Sequence, residues 1–136
     1  MRLLTAAAIL LTAAITLTLI FYPQPPQTEI QTVGELKVYL NPQEPPAANL
    51  QWGALTPGET KLVPVYIQNT GNTPLSITVL PSEWNPTDAA TYLTLTCNCV
   101  EVPAYSLNEA YFALIVSPDI KGVGAFSFTI TVTGSS

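Results

Sequence analysis

Phe126-Ser127-Phe128-Thr129-Ile130-Thr131-Val132-Thr133 alternates an apolar side chain with a hydroxyl at every step. Successive side chains of a strand point to opposite faces, so Phe126, Phe128, Ile130 and Val132 share one face and Ser127, Thr129, Thr131 and Thr133 the other. The stretch reads as a strand half buried in a core, with a threonine outer face. Leu75-Ser76-Ile77-Thr78-Val79 repeats the pattern in shorter form. Further strand candidates lie at residues 36–40, 61–68, 92–100 and 111–116. Between them stand the loop signals Thr56-Pro57-Gly58-Glu59, Asn69-Thr70-Gly71-Asn72, Ser106-Leu107-Asn108-Glu109 and Lys121-Gly122-Val123-Gly124. Six or seven short strands in about 100 residues predict an all-β, two-sheet sandwich.

Two details qualify that reading. Pro64 falls inside a strand pattern and has no N–H for a ladder, which places it at an edge or a bulge. Pro86 to Tyr92 is the one helical candidate, a single turn with Asn85 as its cap and Pro86 at its first position.

The chain has 136 residues, of which 48% are hydrophobic and 10% charged, with 4 basic residues, 9 acidic ones, no histidine and a net charge of −5. An average globular protein is about 25% charged. The deficit belongs to the folded part, because 12 of the charges lie in residues 22–136. Polar surface must therefore come from uncharged side chains, mostly threonine. Without histidine and with so few acids and bases, the common arrangements for hydrolysis, metal catalysis and phosphoryl transfer cannot be assembled in one chain. Nucleic acid is excluded as a partner by the shortage of Lys and Arg. No catalytic residues, no cofactor and no resident metal are expected, and the chain is not read as an enzyme.

Residues 3–21 are 19 positions without a charge: ten Leu, Ile or Phe, five Ala and four Thr. As a helix they would span about 28 Å, close to the ~30 Å hydrocarbon core of a bilayer. Ten strongly apolar residues favour insertion by about 3 to 6 kcal/mol, less what the threonines take back. Arg2 precedes the run, so the positive-inside rule predicts a cytoplasmic N-terminus and an extracellular domain. The competing reading is a cleaved secretory signal with small residues at Thr12, Ala13 and Ala14. Cleavage there would leave an apolar tail, and a retained single-pass anchor is preferred. The expected organisation is an anchor over 1–22, a proline-rich spacer over 23–33 that begins Pro23-Gln24-Pro25-Pro26-Gln27, and a sandwich over 34–136.

The motifs Trp52-Gly53-Ala54-Leu55-Thr56-Pro57-Gly58-Glu59, Val65-Tyr66-Ile67-Gln68-Asn69-Thr70-Gly71-Asn72 and Trp84-Asn85-Pro86, with the closing strand 126–134, carry a resemblance. Over residues 34–134 the chain resembles a family of archaeal membrane-anchored, surface-exposed proteins of immunoglobulin-like fold. The resemblance implies an immunoglobulin-like sandwich of about seven strands behind an N-terminal transmembrane helix, and no enzymatic activity.

Cys97-Asn98-Cys99 is the first candidate for chemistry. Leu93, Leu95, Cys97 and Cys99 share a strand face, which reads the cysteines as small buried hydrophobes. A disulfide is open to them in an oxidising compartment. Residues i and i+2 of a flat strand lie about 6.6 Å apart, at the upper edge of a bridgeable separation, so closure requires a kink. Metal or redox use would need ligands or basic neighbours that the sequence does not supply. Trp52, Trp84 and four of the tyrosines read mainly as core and its ends. Trp84, between Pro81-Ser82-Glu83 and Asn85-Pro86, is the one expected in an exposed loop, where it would contact a partner. The acids are scattered, although Glu59 and Glu109 follow turns and are placed to meet at one end of the sandwich. No Asn-x-Ser/Thr glycosylation acceptor with an allowed middle residue is present.

Taken together, the sequence predicts a non-enzymatic, membrane-anchored extracellular module of the cell envelope whose partners are the membrane, other surface proteins and a further copy of itself. The alternative is a pilin-like or archaellum-associated filament subunit, with the N-terminal helix in a helical core. A thiol oxidoreductase built on Cys97 and Cys99 is the third reading.

Overall fold

The computed structural model describes residues 27–136. The expected anchor and residues 23–26 of the expected spacer lie outside the described residues. Nine strands form two sheets: β1 (Thr28–Val33), β2 (Leu36–Tyr39), β3 (Asn49–Leu50), β4 (Thr60–Asn69), β5 (Leu75–Asn85), β6 (Leu93–Cys97), β7 (Glu101–Val102), β8 (Leu107–Val116) and β9 (Ser127–Ser135). The first sheet has the order β3-β1-β9-β5-β7 and the second β2-β4-β8-β6. Among the described residues no helix is long and apolar enough to cross a membrane.

The alternation in β9 does what its pattern dictates. Phe128, Ile130 and Val132 are buried between the sheets, and β9 pairs with β1 on one side and β5 on the other. Opposite them, the second sheet buries Val38, Val65, Ile67, Phe112, Leu114 and Val116. Each such side chain, removed from water, stabilises the fold by roughly 1.5 to 3 kcal/mol before conformational entropy is counted.

Pro64 pairs with Tyr111 in the middle of β4. At the two ends of the pairing the Val116 N–H donates to the Glu59 carbonyl and the Asn69 N–H to the Ser106 carbonyl, and hydrogen-bonded pairs recur every second residue, so Pro64 falls on a pair that makes none. On its other side β2 has already ended, at Tyr39 opposite Tyr66. The missing N–H is needed on neither side.

Residues 28–33 are a strand of the first sheet, not part of a spacer. β1 runs parallel to β9 and antiparallel to β3. Its sequence, TEIQTV, contains one strongly apolar inward residue, Ile30, and its other inward residue is Thr28. Thr28 is fully buried and its hydroxyl accepts the Trp52 indole N–H at 2.8 Å, so a polar residue fills a core position with its hydrogen bond satisfied. From β1 the chain crosses to the second sheet at Gly34, whose φ of +102° is open to glycine, and a Cβ there would meet the Gly134 carbonyl oxygen.

Of the expected strand over 92–100 only β6, residues 93–97, is found: Tyr92 ends the helix before it, residues 98–100 are out of the ladder, and β7 begins beyond the expected span at Glu101. The expected helix is shorter and later: α1 is Ala89–Tyr92, with Asp88 at its N-cap position and no side-chain cap bond. Asn85 does not cap it, because it is the last residue of β5 and pairs with Ser127.

Asn69, at the end of β4, is buried and uses its whole amide. Its Nδ2 donates to the carbonyls of Thr73 at 2.7 Å and Val102 at 3.1 Å, and its Oδ1 accepts the Gly71 N–H at 2.9 Å. One side chain thus ties a strand of the second sheet to the 70–74 turn and to β7 of the first.

Candidate interaction surfaces

Cys97 and Cys99 are joined in a disulfide, with Cα atoms 5.1 Å apart, which overturns the buried-thiol reading. The separation is shorter than a flat strand allows because β6 stops at Cys97. The Asn98 side chain maintains contact with β8 at that point, its Oδ1 accepting the Tyr111 N–H at 2.7 Å. Both cysteines are half buried against the core, and among the described residues no cysteine is free.

Trp84 is not in an exposed loop. It lies in β5, half buried, and stacks on Phe128 with ring centroids 4.2 Å apart and planes 18° from parallel. The cause is a bulge: the β5–β9 register shifts between Ser82 and Asn85, where two residues of β5 oppose Phe128 alone. In β5 the odd-numbered residues Leu75 and Ile77 face the core, so an unbroken strand would send Glu83 inward and Trp84 outward. Glu83, at φ 55°, supplies the extra residue and reverses this. Its carboxylate turns to the outer face and accepts the Thr129 hydroxyl at 2.9 Å, while the indole joins the aromatic cluster of Trp52, Phe126 and Phe128. A non-glycine residue in that conformation costs on the order of 1 kcal/mol, which burial of a tryptophan face offsets.

Glu59 and Glu109 do not meet. Glu59 precedes β4 beside Val116, whereas Glu109 pairs with Tyr66, about seven residues and roughly 20 Å away along β8.

Two further surfaces are built by residues that the sequence does not mark as a group. One is the outer face of the second sheet. Registered across β4, β8 and β6, the outward positions Thr60, Leu62 and Pro64, Ile115, Ala113 and Tyr111, and Thr94 and Thr96 form one patch without a charged residue. Leu62 is 59% exposed, Tyr111 41% and Ile115 40%. The other is a groove of about 590 Å³ at the end of the sandwich where β1 begins, walled by Leu55, Leu93, Ile120, Val123 and Phe126, with Gln27 at its mouth. Gln27 is fixed there: its N–H donates to Gln51 Oε1 at 3.3 Å, its Nε2 to the Gly53 carbonyl at 3.3 Å, and its carbonyl accepts the Phe128 N–H at 2.9 Å. Its Oε1 accepts the N–H groups of Trp52 and Gly53.

Compared with known proteins, the chain matches no family model and no curated protein.

Proposed function

We propose that this chain is a non-enzymatic surface module: a single-pass anchor over residues 1–22 that displays an immunoglobulin-like domain outside the cell, where it binds a neighbouring envelope protein. The observation that carries the reading is the uncharged patch on the outer face of the second sheet over residues 60–64, 111–115 and 94–96, with Leu62, Tyr111 and Ile115 in water. An exposed apolar patch rimmed by threonines fits a protein contact made by shape and desolvation, with electrostatics contributing little.

The strand order supports the immunoglobulin-like assignment. Across the second sheet, β2, β4, β8 and β6 stand in the order of strands A, B, E and D. β5 and β9 take those of C and F in the other, and β1, parallel to β9, lies where G would. The disulfide accords with a location outside the reducing cytosol. The similarity to archaeal surface proteins described above points the same way.

Crosslinking on intact membranes tests the proposal. The full-length chain is expected in the membrane fraction with its N-terminus intact, joined to a defined envelope protein through residues of the β4–β8–β6 face. Recovery of the whole pool as a soluble, uncrosslinked monomer would overturn it.

A further inference from the structure

We propose that the free edge of β6 pairs with the β6 edge of a second copy of the chain, antiparallel about a two-fold axis, so that two four-stranded sheets become one continuous sheet. The edge leaves backbone groups unused. In the β6–β8 ladder the Ser117 N–H donates to the Tyr92 carbonyl and the Asn98 N–H to the Tyr111 carbonyl, so the even-numbered residues of β6 bond toward β8. The N–H and C=O groups of Leu93, Leu95 and Cys97 therefore point away from the sheet. Of these, only the Leu93 N–H has a partner among the described residues, the Ala89 carbonyl. Such an edge is a template for another strand.

The other edges of the sandwich are blunted. β2 exposes Lys37, and its Val38 carbonyl already accepts the Ala47 N–H at 2.9 Å. β3 and β7 have two residues each, and β7 carries Glu101. The part of β5 that β7 leaves uncovered contains Pro81 and the bulge at Glu83. Charge, proline, bulges and short length are the devices that keep edges from associating. β6 is five residues long, and residues 89–100 contain neither a charge nor a proline.

Self-complementarity identifies the occupant. Leu93-Thr94-Leu95-Thr96-Cys97 is close to a palindrome about Leu95. Antiparallel pairing centred there lets the two Leu95 residues exchange both backbone bonds, while each Cys97 N–H donates to the Leu93 carbonyl of the other copy. The committed Leu93 N–H leaves the Cys97 carbonyl, at the strand end, to water. Thr94 of each copy then stands opposite Thr96 of the other on the outer face, beside Ile115 and Ala113. The net charge of −5 on each chain sets no like charges across this seam, because the edge itself has none. The apolar patches of both copies come to lie on one face. That the doubled patch receives an envelope protein rests on the function proposed above; the pairing itself does not. Antiparallel pairing puts the two Gln27 residues at opposite ends of the pair, so copies anchored in one membrane would lie with their strands along the bilayer.

The test is sedimentation velocity of the full chain at about 100 μM, with density-matched detergent micelles in excess. Wild type is expected to be a dimer. Thr94→Lys/Thr96→Lys and Thr94→Glu/Thr96→Glu, at exposed positions, are each expected to be monomers, because each sets like charges directly opposite across the seam. Mixing the two variants in equal amounts is expected to restore the dimer. A monomeric wild type, either variant dimeric alone, or a mixture that stays monomeric would overturn the proposal. Amide hydrogen exchange locates the contact. The Leu95 and Cys97 N–H groups are expected to exchange about ten-fold or more slowly in wild type than in the Lys variant, with the Leu93 and Thr94 N–H groups unchanged. Equal rates at 95 and 97 would overturn the proposal even if the oligomeric state changes. Leu62→Lys, aimed at the apolar patch, is expected to leave the dimer intact; loss of the dimer there would place the contact on the face and not the edge, and the proposal would fail.

Discussion

The first sheet presents Ser76, Thr78, Ser82, Thr131 and Thr133 on its outer side, with Glu29 and Glu83 at one end, Glu101 at the other and Leu80 as an isolated apolar exception. The second presents Leu62, Pro64, Tyr111 and Ile115, flanked by threonines, and its charges, Glu109 and Lys37, lie toward the other end of the face. Both faces are written in the same period of two, and both inner faces feed one core. The difference lies in what the outward position holds. A row of hydroxyls is satisfied by water and needs no partner, whereas a row of Leu, Tyr and Ile leaves apolar area in water that association would remove. Scarcity of charge over the whole chain therefore has two local meanings. On one side threonine replaces charge as the solvated surface, and on the other the few charges stand apart from a patch that is itself apolar.

The largest effect expected separates inside from outside on a single strand. Phe128 lies under Trp84 and beside Trp52, buried at 3% exposure. Phe128→Ala should cost about 3 to 5 kcal/mol and lower the Tm by roughly 12 to 20 °C. Thr131→Ser, on the outer face of the same strand, should stay within about 0.5 kcal/mol. Thermal melts of the two variants check the pair; a Phe128→Ala loss below about 1 kcal/mol would mean that the aromatic cluster does not hold the sheets together.

The next effect concerns the junction on which both faces depend. Asn69→Ala removes the donor to the Thr73 and Val102 carbonyls and the acceptor for the Gly71 N–H. Buried groups left without partners cost about 1 to 3 kcal/mol each, partly relieved as water enters at the turn, so a loss of about 2 to 4 kcal/mol is expected. Asn69→Asp should cost at least as much, because a carboxylate accepts the Gly71 N–H but sets a buried negative charge against the two carbonyl oxygens that the amide served as donor. Denaturant unfolding of the three proteins at neutral pH checks the order: wild type most stable, Ala next, Asp least.

Where residue and environment agree, the sequence alone is sufficient. The alternation of β9, the first half of β5 and the apolar positions of β4 and β8 predict strands that the structure contains, and the two-sheet sandwich follows from them. The failures are local and have physical causes. The sequence of β1 reads as spacer because its core position is a threonine, whose burial depends on an indole 24 residues away. Trp84 reads as exposed because a one-residue bulge reverses the faces of a strand, and the residue that makes it, Glu83, is not one that marks a left-handed conformation. For Cys97 and Cys99 the sequence leaves a disulfide and buried thiols both open, and the kink that the bond requires is supplied by the end of β6 at Cys97. The groove is assembled from residues 27, 51–55, 93 and 120–126, so no single stretch announces it. The signals within reach are the hydroxyl and amide residues at strand ends, Thr28 and Asn69, whose short polar side chains bond ring and backbone groups of other segments.

The smallest effect on stability bears most directly on the two faces. Leu62→Lys and Ile115→Lys each put a cation on the apolar face, while Thr78→Lys and Gln31→Lys put one on the hydroxyl face. All four positions are solvent-exposed, so each change should move stability by no more than about 0.5 kcal/mol. A desolvated contact is far less tolerant: an unpaired ammonium forced into it costs several kcal/mol, enough to lower the partner's affinity by two orders of magnitude or more. Pull-down from solubilised membranes should then lose the partner with Leu62→Lys and Ile115→Lys and retain it with the other two. Equal retention by all four would remove the distinction between the faces. Loss with Thr78→Lys or Gln31→Lys alone would move the contact to the threonine side, where hydroxyls and the carboxylates of Glu29 and Glu83 would have to provide the recognition that the apolar face does not.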